Sequence, residues 1–222
     1  MRAPDPPAAV VFDCDGLLLD TESAWSHAEA VLYRRYGGEF TLEHKRELLG
    51  KAGPLAASIV ARHLDRPGEG AAIMAELGEL VLDEVARSAP PQPGAAELVD
   101  ALRAEGVPLG VASNSPAPHV HLALRVSGFD GAFAAVVTAD DVEHPKPAPH
   151  VYLAVCRALG APPERAVGLE DSPTGVASAR AAGMYVVGVP SLEGVTLPEA
   201  HLQARSLHAG EVWRAVGLPL AA

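Results

Sequence analysis

Val10-Val11-Phe12-Asp13-Cys14-Asp15-Gly16 is the stretch whose reading decides the fold. Residues 8–12 form a short apolar run with the length and β-branched content of a buried parallel strand. The run stops at two carboxylates separated by one residue, and a glycine follows. In an open α/β sheet, ligands bind just beyond the carboxyl ends of the strands. Asp13 and Asp15 are therefore a candidate reactive pair on a tight turn, where Gly16 lets the backbone come close to a ligand. Asp and Gly also serve as ordinary turn residues. What favours a site is the recurrence of polar and charged groups around later strand ends.

Working outward, the second half of the chain alternates helix and strand. Helical spacing covers residues 95–105, 118–126, 149–159 and 175–182, with a short tail helix at 211–216. Apolar strands are expected at 107–112, 133–138, 166–169 and 185–189. This alternation predicts an α/β fold, a doubly wound parallel sheet with a Rossmann-like core. Between residues 22 and 88 the period is helical throughout, with no evident strand. Gly37-Gly38 and Arg66-Pro67-Gly68 punctuate it, and Asp20 or Thr21 is placed to cap its first helix. Pro90-Pro91-Gln92-Pro93-Gly94 is a stiff return linker. The expected division is a catalytic core of residues 1–19 and 92–222 with an inserted α-helical cap domain of residues 20–91.

Composition narrows the function. The 222 residues are 49% apolar but only 5% aromatic, so Ala, Val and Leu must fill the core. The net charge of −11 argues against nucleic acid and anionic membranes as partners. No apolar run reaches membrane-spanning length. Two cysteines make no disulfide framework, and the start of the chain does not read as a signal peptide. A cytoplasmic monomer acting on a small phosphorylated metabolite is the expectation.

The chemistry lies in what the strand ends bring together. Ser113-Asn114-Ser115 follows one strand, and Glu170-Asp171 follows another. Lys146, in His144-Pro145-Lys146-Pro147, precedes a later helix. Carboxylates ~4 Å apart repel by on the order of 4 kcal/mol per pair at an effective dielectric near 20. Asp13, Asp15, Glu170 and Asp171 therefore make sense together around a cation. Oxygen donors without thiolates point to Mg²⁺. Asp13 is then the natural nucleophile, and Asp15 the general acid and base. Lys146 offers a fixed positive charge to phosphoryl oxygens, and Ser113 and Asn114 offer hydrogen-bond donors.

These motifs resemble the haloacid dehalogenase-like hydrolase superfamily, in its members with a helical cap after the first strand. The match rests on residues 12–16 with Leu19-Asp20-Thr21-Glu22, on Ser113-Asn114-Ser115, on Lys146-Pro147-Ala148-Pro149, and on residues 168–175 with 181–184. The resemblance implies a phospho-aspartate on Asp13 and acid–base work by Asp15. It implies phosphate contacts from Ser113, the Asn114 amide and Lys146, the lysine also bridging to the nucleophile. Mg²⁺ would be held by Asp13, the Asp15 carbonyl and Asp171, with Glu170 adjacent. Pro145 and His150 depart from the usual pattern around the lysine. The chain is similar to sugar-phosphate and nucleotide-type phosphatases, such as 2-deoxyglucose-6-phosphatase and pseudouridine-5′-phosphatase. The alternative is a β-phosphoglucomutase-like phosphomutase. Trp25 stands where that branch has a histidine, and Leu49 and Gly53 stand where it has cations, which favours hydrolysis. Glu22, Trp25 and Lys51 are the cap residues expected to set specificity.

Overall fold

The first strand, β1 (Ala9–Phe12), is fully buried on both faces. Val10 and Phe12 join one apolar cluster and Ala9 and Val11 another, as the two-residue period of a strand requires. The computed structural model describes residues 2–48, 51, 53–192 and 194–219, with the Glu22 side chain excepted.

β1 pairs in parallel with β2 (Leu109–Ala112) on one side and β4 (Ala166–Glu170) on the other. β3 (Ala135–Val137), β5 (Tyr185–Gly188) and β6 (Leu202–Gln203) complete a six-stranded sheet in the order β3-β2-β1-β4-β5-β6, parallel throughout. β6 was absent from the sequence expectation. Two residues carry no periodicity to read, and it is held by pairing with β5, Val187 opposite Leu202.

Phe12 lies opposite both Val111 and Leu169. That register sends the chain out of β1, β2 and β4 side by side, with Asp13, Ser113 and Glu170 near one level. The crossover helices are α5 (Ala95–Ala104), α6 (Ala117–Val126), α7 (His150–Ala158) and α8 (Pro173–Ala181), and α9 (Gly210–Ala215) closes the chain. α8 has a strong start: the Ser172 hydroxyl accepts from the Gly175 amide at 3.1 Å, and Pro173 occupies the first turn.

Between β1 and α5 run four helices, α1 (Glu22–Arg35), α2 (Leu42–Leu48), α3 (Gly53–His63) and α4 (Gly70–Arg87). α4 buries Ile73, Leu77, Val81 and Val85, a stripe at four-residue spacing. α1 buries Glu29 and Tyr33 as well as Ala28 and Leu32. At its start Asp20 accepts the Ser23 amide at 3.3 Å, so Asp20 rather than Thr21 does the capping. The two connections to this helical segment lie against each other. The Asp20 amide donates to the Pro90 carbonyl at 2.8 Å, and the Gln92 amide to the Leu18 carbonyl at 3.0 Å. No helix among the described residues is long and apolar enough to cross a membrane.

Candidate active site

Asp13 leaves β1 with its amide still bonded to the Leu169 carbonyl, 2.9 Å away, so its backbone is an extension of the sheet. Its carboxylate is buried and meets the Lys146 ammonium at 2.5 Å. Lys146 also reaches Glu170, at 2.6 Å, and lies over the Tyr152 ring, 5.0 Å from its centre. The lysine loop is fixed by Asn114, whose side chain bonds Lys146 twice. Its oxygen accepts from the Lys146 amide at 2.8 Å, and its nitrogen donates to the Lys146 carbonyl at 3.1 Å. The loop residue Pro145 does not prevent this seating, and its carbonyl accepts the Ala148 amide at 3.0 Å.

Glu170 is fully buried and its oxygens are well supplied. Lys146 and the Tyr152 hydroxyl (2.7 Å) donate to one, and the Ser172 hydroxyl and the amides of Asp171 and Ser172 donate to the other. α8 begins against this carboxylate so closely that a Cβ on Gly175 would lie 1.9 Å from it. Asp171 is held from the end of β5, where the Ser191 hydroxyl donates to it at 2.5 Å. A Cβ on Gly16 would fall 2.3 Å from the Asp171 carboxylate, and Gly16 has a φ of +89°. Both constraints demand glycine there.

Asp13, Glu170 and Asp171 each offer an oxygen within 4.8 Å of the others'. Three clustered carboxylates, two of them paired with the single ammonium of Lys146, leave an excess of negative charge when ionised. Burial accordingly drives the Asp13 carboxyl well above the ordinary range, opposed by Lys146 and reinforced by Glu170, Asp171 and Asp15. Burial works against the Lys146 charge, but Asp13 and Glu170 overcome it and hold the ammonium protonated above its usual range. A divalent cation would balance this charge, and the all-oxygen donor set suits a hard ion.

The Asp15 carboxylate lies outside that acidic group and has different neighbours. Thr21 donates to one oxygen at 2.6 Å; Ser113 and Ser115 donate to the other at 3.0 and 2.8 Å. Ser113 is fully buried and also accepts the Ser115 amide at 2.9 Å, so its hydroxyl is committed to this network. Cys14, between the two aspartates, turns into the core, where burial and then Asp15 push its thiol well above the ordinary range.

A cavity of about 430 Å³ lies between the helical segment and the carboxyl end of the sheet. Asp13, Asp15, Asn114, Ser115, Lys146 and Asp171 line its floor. Trp25 and Lys51 line it from the helical side, Lys51 exposed and Trp25 half-buried. Glu22 opens α1, and its side chain lies outside the described residues, as do Leu49 and Gly50. Sequence reading missed Thr21, Ser115, Tyr152 and Ser191 as partners of the four carboxylates. Ser191 had a signal, being a hydroxyl just past a strand end; Tyr152 had none, since it shares the apolar face of α7 with Val151 and Val155. The acidic pair after β3 is structural. Asp141 accepts from both the amide and the hydroxyl of Thr138, and Asp140 accepts the Ala117 amide.

Residues 7–183 match the family model of haloacid dehalogenase-like hydrolases. Validoxylamine A 7′-phosphate phosphatase of Streptomyces hygroscopicus subsp. limoneus is 31% identical over 203 residues, 89% of this chain and 92% of its own. Hexitol phosphatase B of Escherichia coli is 30% identical over 202 residues, 89% of this chain and 90% of its own. Among solved structures, that of CbbY from Rhodobacter sphaeroides in complex with phosphate superposes with a TM-score of 0.80. It is 28% identical, over 90% of this chain and 95% of that one.

Proposed function

The chain belongs to the haloacid dehalogenase-like hydrolases, and from that premise we propose that it is a phosphatase cleaving a small phosphomonoester through a phospho-aspartate. The observation that carries this reading is one constellation: Asp13 paired with Lys146 inside an acidic group, with the separately held Asp15 on the same cavity floor. Asp13 attacks phosphorus, the bond to the ester oxygen breaks, and Asp15 gives that oxygen its proton. Asp15 then takes a proton from water as that water attacks the aspartyl phosphate. The Asp13–phosphorus bond breaks, returning the carboxylate and inorganic phosphate.

Lys146 and the Asn114 amide would receive the phosphoryl oxygens, and Ser113 acts by holding Asp15. Asp13, Asp171 and the Asp15 carbonyl would hold Mg²⁺, which supplies charge neutralisation when bound. Glu170, with its oxygens taken up by Lys146, Tyr152 and Ser172, positions the lysine from the edge of that group. Residues 20–91 act as a cap that shields the floor from water. Its hinges are the paired connections at Leu18–Asp20 and Pro90–Gln92.

A mutase must also grip a second phosphate. On the helical side, the cations lining the cavity among the described residues are Lys51 and Lys45, and Lys45 is already paired with Glu29 at 3.3 Å. That supports transfer to water. The test is phosphate release from p-nitrophenyl phosphate and a panel of sugar phosphates. Wild type should turn over with Mg²⁺, stop with EDTA and recover on Mg²⁺ addition. Asp13→Asn should lose at least about 10³-fold in kcat while keeping its melting temperature, since the reaction then lacks its nucleophile. Wild-type rates in that variant would refute the assignment.

A further inference from the structure

β4 delivers its carboxylates between two neighbouring strands. On one side the Asp13 amide donates to the Leu169 carbonyl at 2.9 Å. On the other the Val189 amide, just past β5, donates to the Glu170 carbonyl at 2.7 Å. Two residues beyond Val189 stands Ser191, whose hydroxyl donates to Asp171 Oδ2 at 2.5 Å. The turn after β1 closes on the same pair: a Cβ on Gly16 would lie 2.3 Å from Asp171 Oδ2 and 3.0 Å from Ser191 Oγ. Asp171 is buried and lines the cavity floor, whereas Ser191 does not line the cavity. Ser191 therefore touches a carboxylate of the site from outside the space that a substrate would fill.

A carboxylate holds a cation well only if its oxygens are already aimed, and an ionised carboxylate is aimed by the donors it accepts from. Asp13 accepts from Lys146, Glu170 from Lys146 and Tyr152, and Asp171 from Ser191. The first two share an ammonium, which offsets their charge as well as fixing them. A neutral hydroxyl fixes a carboxylate without cancelling its charge, so Asp171 is oriented while its attraction for a cation is kept. We propose that Ser191 is a positioning residue for the divalent cation and sets the site's affinity for it through Asp171. This rests on the phosphatase reading, in which Asp171 helps to hold Mg²⁺. It goes beyond that reading by assigning cation affinity to the loop after β5, which carries none of the recognised motifs. Groups that hydrogen-bond a metal's ligands govern metal affinity by about 10- to 100-fold.

The experiment titrates Mn²⁺, whose free-ion electron paramagnetic resonance signal falls on binding, into metal-stripped wild type, Ser191→Ala and Ser191→Thr. Added Mg²⁺ should displace the bound Mn²⁺ from wild type. Ser191→Ala should raise the Mn²⁺ Kd by about ten-fold or more, and Ser191→Thr, which keeps the hydroxyl, should bind within about three-fold of wild type. Thermal melting in EDTA should be the same for all three, because Ser191 is on a loop and only the metal-bound state calls on its bond. With p-nitrophenyl phosphate, Ser191→Ala should need about ten-fold more Mg²⁺ for its half-maximal rate, and the rate lost at low Mg²⁺ should return as Mg²⁺ is raised. An unchanged Kd in Ser191→Ala would overturn the inference while leaving the phosphatase reading in place. Equal weakening in the Ala and Thr variants would overturn it too, since that marks a loop disturbed by any change. If wild type binds no Mn²⁺, the cation itself is refuted and this role for Ser191 fails with it.

Discussion

Asp15 can serve as acid and base only if its carboxylate is aimed, and three hydroxyls aim it. Thr21 comes from the first connection to the helical segment, and Ser113 and Ser115 from the turn after β2. Thr21→Val removes the shortest of these bonds while keeping the volume. It should lower kcat by about ten-fold, the rate equivalent of roughly 1.4 kcal/mol, with KM little changed. Steady-state kinetics with p-nitrophenyl phosphate reads this directly, and an unchanged kcat would remove Thr21 from the machinery. The sequence displays Asp13, Asp15, Lys146, Glu170 and Asp171 plainly, because the carboxylates sit in motifs at strand ends and the lysine in a proline-flanked motif before a helix. It does not display what holds them. Thr21 has the residue type and place of a helix cap, and only the structure shows Asp20 taking that role.

At the scale of elements, the site depends on how closely α8 starts against Glu170. Gly175 has no side chain, and a methyl there would lie 1.9 Å from the carboxylate. Gly175→Ala should therefore push Glu170 off Lys146, lowering stability by about 1–3 kcal/mol, as overpacking does, together with a marked loss of kcat. Thermal melting and phosphate release measured on the same sample check both. A variant as stable and active as wild type would show that this packing is dispensable. The elements themselves were mostly legible. The helix over residues 69–87 has a clean apolar stripe, observed as α4, and the apolar runs before Asp13 and Glu170 become β1 and β4. The exceptions have physical causes. β6 is too short for a pattern, and α1 buries Glu29 where it pairs with Lys45 of α2 beside the cavity.

Across the whole molecule, packing sets the state of the two thiols. Both cysteines are free and buried. Burial, with Glu164 adding to it, pushes the Cys156 thiol from an ordinary value near 9 up to about 11. The folded protein therefore keeps a proton that the unfolded chain releases between those two values. This stability contribution is intact below pH 9 and falls as pH rises toward 11. The burial-raised Tyr33 hydroxyl acts with the same sign. The urea midpoint should therefore drop from pH 8.5 to pH 11, roughly tracking these groups. In native protein at pH 8, Cys156 is only ~0.1% thiolate and should resist alkylation until urea is added. A fast-reacting thiol in native protein would contradict this packing. The architecture was legible at this scale too, because alternating strands and helices after a return linker leave few topologies. What the linear chain could not reveal was the far wall of the cavity, where Glu29 and Lys45 meet across sixteen residues with no local pattern to announce it. The central claim remains that Asp13 bonds to phosphorus. Its most direct test is to mix enzyme with substrate and Mg²⁺, quench in acid within the first turnover, and map the peptides by mass spectrometry. The account predicts one added phosphoryl group on the peptide containing Asp13, lost on brief treatment with base. Steady phosphate release with no phosphoryl group trapped on Asp13, or one trapped on another residue, would contradict it.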